Sequence, residues 1–355
     1  MAYRGISLPG IASSARPLLA ASMRSICVAV SRSRAEAVRQ ELLAAGLLRQ
    51  GVAIAQEGGV VFLPVTAAPS GHATTEREFR ESFTPIRSYK DVARVPEELR
   101  PLLPTSFDVV GDIAIVKVPE ELTAHEAALA EAILRVNTSV RVVAADAGVK
   151  GDLRVRQLRV LAGPERTETV HREHGLSYTV DVARAYFSPR LGSERMRVAE
   201  QVEPGEAVVD VFAGVGPYAV LIARRREPRI VYAFDANPDA FRYLEENVRR
   251  NRAARVEPRF GDGPSLLAAI EPPDRVILDY PQDPDPAYRA TLPRILPRGM
   301  IHCYAILETA ELEEREQGLL STARAFDRRA EVEARREVHG WSPTRKLFAF
   351  DVRVT

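Results

Sequence analysis

The sequence predicts an α/β protein on three observations. Strands and helices alternate strictly after about residue 186, the last two strands have no helix between them, and two short mixed segments come first. The expected architecture is a doubly wound, mostly parallel sheet over 186–355 that closes in an antiparallel hairpin. Two smaller α+β modules, 24–70 and 71–185, precede it. At 355 residues, 46% of them hydrophobic, the chain has material for more than one core.

In chain order, the first 35 residues hold several arginines and no acid before Glu36, a composition like that of a transit peptide, but no amphipathic helix period runs through them. Residues 1–23 are therefore expected to be a disordered leader or the product of an upstream start, with structure beginning near Met23. SICVAV, AEAVRQELLAAGLL and GVAIAQEGGVVFLPV read as strand, helix and a Gly-Gly hairpin. The polar stretch from Ala68 to Pro104 reads as linker with short helices. FDVVGDIAIVKVP is strand-like and TAHEAALAEAILRVN is an amphipathic helix. SVRVVAAD, LRVRQLRVLAG, RTETVHREHG and LSYTVDV follow as four short strands of an expected antiparallel sheet. A helix with a Ser-Pro start, SPRLGSERMRVAEQV, opens the last domain. Its strands are AVVDVFAG, RIVYAFDA, VEPRFGDG, RVILDYP, GMIHCYAI, one within AEVEARREVHGW, and LFAFDVRV.

Composition excludes several classes. No apolar run approaches the roughly 18 residues of a membrane span. Cys27 and Cys303 lie far apart in apolar runs, so they read as buried thiols of a cytoplasmic protein, and no disulfide framework is possible. The net charge of +1 leaves nucleic-acid binding open, because a basic face can be local. His171 and His174 have no second ligand cluster and read as hydrogen-bonding residues, so no metal is expected.

The chemistry gathers at strand ends. DVFAGVGPY places Gly214 and Gly216 at a strand-to-helix turn, with Asp210 at the strand end, Asp235 ending the next strand and Asp262 after the third. An acid ending the second strand accepts ribose hydroxyls, and one after the third suits an adenine amino group. Two cofactors compete for such a site. A pyrophosphate favours the full GxGxxG, and here the third position is Ala219; Asp210 would repel phosphate but suit the sulfonium and ammonium of S-adenosylmethionine. With the terminal hairpin, this reads as a Rossmann-like class I methyltransferase site, a nicotinamide dehydrogenase being the weaker alternative. Phe212, Ala236 and Gly263, on the same turns, are expected to line the cofactor. The fourth strand ends in Asp279-Tyr280-Pro281, which therefore faces the ligand crevice. This partly matches the Asp/Asn-Pro-Pro-Tyr signature of methyltransferases acting on nitrogen in planar rings. Arg190 and Glu194, at i,i+4, read by themselves as a surface ion pair, and Arg154 and Arg156 as one face of a strand.

The ordered blocks GDLRVR, ERTETVHREHG, DVARAYFSPRLGSERMR, VVDVFAGVGPY and YAFDANP resemble the archaeal and eukaryotic tRNA (guanine-N1)-methyltransferases, which modify position 37 of tRNA. The resemblance runs from about Ser25 to the C-terminus and implies tRNA binding at the anticodon loop and, through the 24–70 module, at the elbow; the chain is expected to be a monomer. It implies that Glu194 is the general base on guanine N1-H, that Arg154 stabilises charge on O6, and that Arg190 helps hold the flipped base, which Tyr280 and Pro281, by their place at the fourth strand's end, are expected to contact. It also implies that Tyr186 and Arg195 border the cofactor, which Asp235 and Asp262 bind. Two departures stand out. Asp279-Tyr280-Pro281 replaces the family's Asn-Leu-Pro, and Gly340-Trp341-Ser342-Pro343 replaces Ser-Tyr-Ala-Pro. Asp279, counted with both the catalytic and the cofactor groups, offers only acceptors when ionised. The paralogue that transfers the aminocarboxypropyl group, and a non-catalytic tRNA-binding relative, stay open as alternatives.

Overall fold

The computed structural model describes residues 22–80, 88–150 and 155–355, and the chain divides into two compact units at Arg87/Ser88. The leader, up to residue 21, lies outside the described residues.

In the first unit β1 (Ser22–Ser31), α1 (Ala35–Ala44), β2 (Ala55–Glu57), β3 (Val60–Pro64) and β4 (Thr74–Arg80) form an antiparallel sheet of order β2-β3-β1-β4. Val38 and Leu42, one turn apart on α1, bury against Val28, Leu63 and Val65. β4 corrects the linker expected there. Its TTEREFR buries Phe79 alone, so no alternation marks it, yet as an edge strand it needs only its backbone ladder to β1.

The second unit opens with β5 (Asp108–Val110), β6 (Ile113–Val116), α2 (Glu126–Val136), β7 (Val142–Lys150) and β8 (Val155–Ala162), in one sheet of order β5-β6-β7-β8. The expectation of a purely antiparallel sheet fails here. α2 carries the chain back across the sheet, so β6 and β7 pair in parallel. β9 (Glu168–Glu173) and β10 (Leu176–Asp181) form their own hairpin instead of joining that sheet.

The remaining elements are α3 (Gly192–Gln201), β11 (Ala207–Asp210), α4 (Pro217–Arg225), β12 (Ile230–Asp235), α5 (Pro238–Arg250), β13 (Val256–Phe260), α6 (Gly263–Leu266) and β14 (Arg275–Leu278). After them come α7 (Asp285–Thr291), β15 (Gly299–Leu307), α8 (Leu312–Ala325), β16 (Ala330–Gly340) and β17 (Lys346–Val354). The Ser-Pro start makes a 3-10 turn, Pro189–Leu191, before the α-helix proper. The seven strands run β13-β12-β11-β14-β15-β17-β16, parallel up to β15, with β17 inserted antiparallel against it. This is the class I methyltransferase fold that the terminal hairpin predicts. β11 and β14 are buried along their whole length because helices cover both faces. Alternation sends Val208 to the core under α3, α4 and α5, and Val209 to the core under α7 and α8. Cys27 and Cys303 are buried free thiols, and among the described residues no helix is long and apolar enough to cross a membrane.

Candidate active site

The order of strands reverses between β11 and β14, and in such sheets the crevice beyond the carboxyl ends is where ligands bind. Three acids stand at those ends, Asp210, Asp235 and Asp279. The turn after β11 is tied down by Asp235, whose Oδ2 accepts the Gly214 N–H at 2.6 Å while Oδ1 accepts that of Asn237 at 2.8 Å. Gly216 caps α4 at φ +88°, ahead of Pro217. A Cβ there would lie 2.5 Å from Leu244 Cδ1, so this glycine serves the packing of α4 on α5 and not the approach of a ligand. Gly263 is likewise a packing glycine, since a Cβ would sit 2.1 Å from the Val211 carbonyl oxygen.

A cavity of about 340 Å³ occupies the crevice. Of the cofactor residues expected from sequence, it is lined by Tyr186, Phe212, Gly214, Asp235, Ala236, Asp262 and Asp279, together with Tyr280 and Pro281. Arg195, Asp210, Gly216 and Gly263 do not line it and stand behind its wall. Tyr280 stacks on Phe212 with ring centroids 5.0 Å apart. Asp262 spends Oδ2 on capping α6, accepting from the Ser265 N–H at 3.2 Å.

The electrostatics of these acids are unusual. Asp210 is fully buried, and neither carboxylate oxygen is hydrogen-bonded to a side chain among the described residues, although the Phe212 backbone amide and the Arg195 charge favour its ionised form. Burial, then the neighbouring Asp279 and Asp235, push its carboxyl well above the usual range. Burial also raises Asp235, partly offset by its two backbone hydrogen bonds. Asp279 is pushed up to about 6 by burial and by Glu194, against the opposing pull of Arg195. Arg195 is itself buried, donating to Glu173 Oε2 at 2.7 Å and to the Ser188 carbonyl at 2.8 Å, with Phe187 beneath its guanidinium.

A second cavity, of about 450 Å³, adjoins the first, and Tyr186 and Trp341 line both. Its charged lining includes Lys117, Arg156, Arg190, Asp108 and Asp146. Arg190 pairs with Asp108 at 2.7 Å, and Arg156 with Asp146 at 3.3 Å and Asp108 at 3.5 Å. The i,i+4 pair between Arg190 and Glu194 therefore does not form. Arg190 belongs to the 3-10 turn before α3, whose different winding turns it toward β5. Arg154 lies outside the described residues.

Glu194 is buried completely and lines neither cavity. Its carboxylate accepts from Arg197 Nη2 at 2.7 Å, Arg197 Nε at 3.0 Å and the Tyr304 hydroxyl at 2.8 Å, with Arg336 at 3.5 Å. Arg197 and Tyr304 were not singled out from sequence. The signal for Tyr304 was present, since it and His302 are the hydrogen-bonding side chains of an otherwise apolar strand, GMIHCYAIL. His171 accepts from the Gly111 N–H at 3.1 Å, and His174 Nε2 meets the Gly192 carbonyl at 2.8 Å, tying β9 and its turn to their neighbours.

Three family models match the chain: the TRM5/TYW2 methyltransferase domain over 169–332, the TYW2 N-terminal domain over 92–167, and the tRNA methyltransferase 5 N-terminal domain over 27–73. Among similar proteins is tRNA (guanine(37)-N(1))-methyltransferase Trm5b of Pyrococcus abyssi, 35% identical over 337 residues, 93% of this chain and 99% of that protein. Its crystal structure superposes with a TM-score of 0.72. A solved complex of aTrm5 with tRNALeu is 26% identical with a TM-score of 0.67, covering 93% of this chain and 100% of that one. The Methanocaldococcus jannaschii Trm5 in complex with adenosine is also 26% identical, with a TM-score of 0.63 over 93% of this chain and 99% of that one.

Proposed function

We propose that this chain, which belongs to the Trm5-type tRNA (guanine(37)-N(1))-methyltransferase family, methylates N1 of guanosine 37 in tRNA using S-adenosylmethionine. The observation that carries the reading is the pair of adjoining cavities. One is an acidic crevice at the sheet's switch point, the other a pocket bearing arginines, and Tyr186 and Trp341 stand between them.

The residues of the first cavity fit S-adenosylmethionine. Asp235 retains lone pairs for ribose hydroxyls after accepting its two amides, and Phe212 and Ala240 give an apolar wall. Asp210, a buried carboxylate with no side-chain partner among the described residues, and its neighbour Asp279 match a ligand that brings positive charge. When bound, that cofactor supplies an electrophilic methyl carbon on a sulfonium that departs as a neutral thioether.

The chain's own work is positioning and proton removal. Guanine N1 carries a proton at neutral pH, so a base must take it as the N–C bond forms. Glu194 takes that proton, which requires the entering base to uncover a carboxylate now closed in by Arg197 and Tyr304. Arg190 and Arg156 steady the turned-out nucleotide, and Tyr280 and Pro281 border the target ring; stabilising the charge on O6 is the role given to Arg154 by the resemblance. Asp279, ionised or protonated as pH passes about 6, receives the guanine amino group or the cofactor's ammonium. The first unit, matched by the tRNA methyltransferase 5 N-terminal domain, reads the tRNA elbow while the second holds the anticodon loop.

Incubating the protein with labelled S-adenosylmethionine and a tRNA transcript carrying G37, then mapping the product by mass, tests the reading. The expected product is 1-methylguanosine at position 37. A mass gain of an aminocarboxypropyl group, or no transfer at all, rejects it. Glu194→Gln is expected to slow single-turnover methylation by about 10²-fold or more while cofactor affinity stays within about threefold. Equal loss of both removes the proton-acceptor role.

A further inference from the structure

Behind Glu194 the fold assembles buried polar side chains that the reaction above does not use. Glu194, Arg197 and Gln201 share one face of α3 at i, i+3 and i+7. They look onto His302 and Tyr304, two apart on β15, and onto Asp351 on β17, which the strand register sets directly opposite His302. Asp351 is 3% exposed yet accepts from His302 Nδ1 at 2.7 Å, Arg197 Nη2 at 3.0 Å, Gln201 Nε2 at 3.1 Å and Arg197 Nη1. Arg197 thus spans two carboxylates, Asp351 and Glu194.

The chain of contacts continues away from the site. Arg275 donates Nη1 to His302 Nε2 at 2.8 Å and is held by Glu206, with Nε at 2.8 Å and Nη2 at 3.0 Å, and by the Gln201 carbonyl at 2.7 Å. A guanidinium only donates, so His302 Nε2 accepts, and the ring proton sits on Nδ1, donated to Asp351. Burial, helped by Arg275 and Arg197, moves His302 below its ordinary range despite Asp351, which agrees with a neutral ring. Burial alone would raise Asp351, but the His302 and Arg197 hydrogen bonds hold it well below the usual carboxylate range.

A guanidinium facing Glu194 alone would form a one-to-one buried pair, a poor starting point for a group that must take up a proton and be uncovered. Asp351 changes that by drawing on the same charge. We propose that Asp351, oriented by His302 and Arg275, is a positioning residue for methyl transfer: it shares Arg197 with Glu194 and thereby sets the aim of the base and how much of that guanidinium's charge the base feels. This rests on Glu194 being the proton acceptor. The groups facing Glu194 are Arg197 on its own helix, Tyr304 on β15 and Arg336 on β16, with Asp279 after β14 and Tyr218 on α4 next in line.

The test is single-turnover methylation of a G37 tRNA transcript by the full chain across pH 5.5–9, with cofactor and tRNA dissociation constants measured separately. Asp351→Asn leaves Arg197 to Glu194 alone. It is expected to lower the rate about 30-fold and shift the acid limb of the profile to lower pH, while both dissociation constants stay within about threefold. Arg197→Gln is expected to move that limb in the opposite direction. His302→Asn keeps a donor for Asp351 and is expected to retain a third or more of the rate, whereas His302→Leu falls with Asp351→Asn. The His302 pair carries the test if Asp351→Asn does not fold. Wild-type rates in Asp351→Asn, an unmoved acid limb, or equal rates in the two His302 variants overturn the inference. Glu194→Gln run alongside separates the failures. A fully active Glu194→Gln rejects the proton-acceptor reading itself, and an inactive one beside an unimpaired Asp351→Asn rejects only the role given to Asp351.

Discussion

Two groups of carboxylates sit in the same domain under opposite rules. Asp210, Asp235 and Asp279, at the ends of adjacent parallel strands, have no arginine paired to them among the described residues, and burial raises all three. Glu194, Asp351 and Glu206, a short distance along the fold, each hold a guanidinium. Asp210, Glu194 and Asp351 are all buried, so among these three pairing makes the difference. A buried acid left without a counter-charge costs stability until a ligand supplies one, whereas a paired acid holds a neighbour in place.

Turning a paired acid into an unpaired one should have the largest effect. Arg275→Leu strands Glu206 and removes the donor to His302, and it is expected to cost about 3–5 kcal/mol, read as a lower midpoint in urea. Asp210→Asn acts the other way, relieving a buried carboxylate that no described side chain pairs. The protein without cofactor should gain on the order of 2 kcal/mol at pH 8, while affinity for S-adenosylmethionine drops about tenfold or more by calorimetry.

Asp279→Asn sharpens the comparison through pH. The Asp279 carboxyl titrates at about 6 in the fold and near 3.9 when unfolded. Between those values the folded state keeps a proton that the unfolded chain has lost, so stability falls as pH rises and the full penalty is present above about pH 6. Asp279→Asn should therefore raise stability at pH 7.5 by on the order of 3 kcal/mol, read as a higher melting temperature, and leave it nearly unchanged at pH 4. A gain independent of pH would show that the carboxylate's charge is not the cause. The smallest effect belongs to Glu333→Gln, which breaks a pair with Arg353 that is roughly a third exposed. A change of at most about 1 kcal/mol there shows that burial, and not pairing by itself, gives the inner network its weight.

Much of this could be read from the letters. DVFAG, YAFDA and RVILDYP each show a short apolar run ending in an acid, and a buried parallel strand pointing at a crevice leaves that trace. TTEREFR left none, because an edge strand with one buried side chain has no period to detect. Arg190 and Glu194 suggested each other by spacing, yet each found its partner elsewhere. Arg190 meets Asp108, 82 positions away, and Arg197, which clamps Glu194, also meets Asp351, 154 positions away.

What the sequence determined by itself is therefore local and periodic: the alternation that makes the sheet, the glycine turn after β11, the acids at strand ends, and the hairpin that closes the domain. Apart from Glu194 and Arg197, three residues apart on α3, only the tertiary structure decided which acids would be paired. It brought α3 over β15 and β17 and set His302 opposite Asp351, while leaving Asp210 with no side-chain partner among the described residues. The physical reason is that hydrophobic period and turn chemistry act over a few residues, whereas the proton affinity of a buried carboxylate depends on charges within a few ångströms, whatever their separation along the chain.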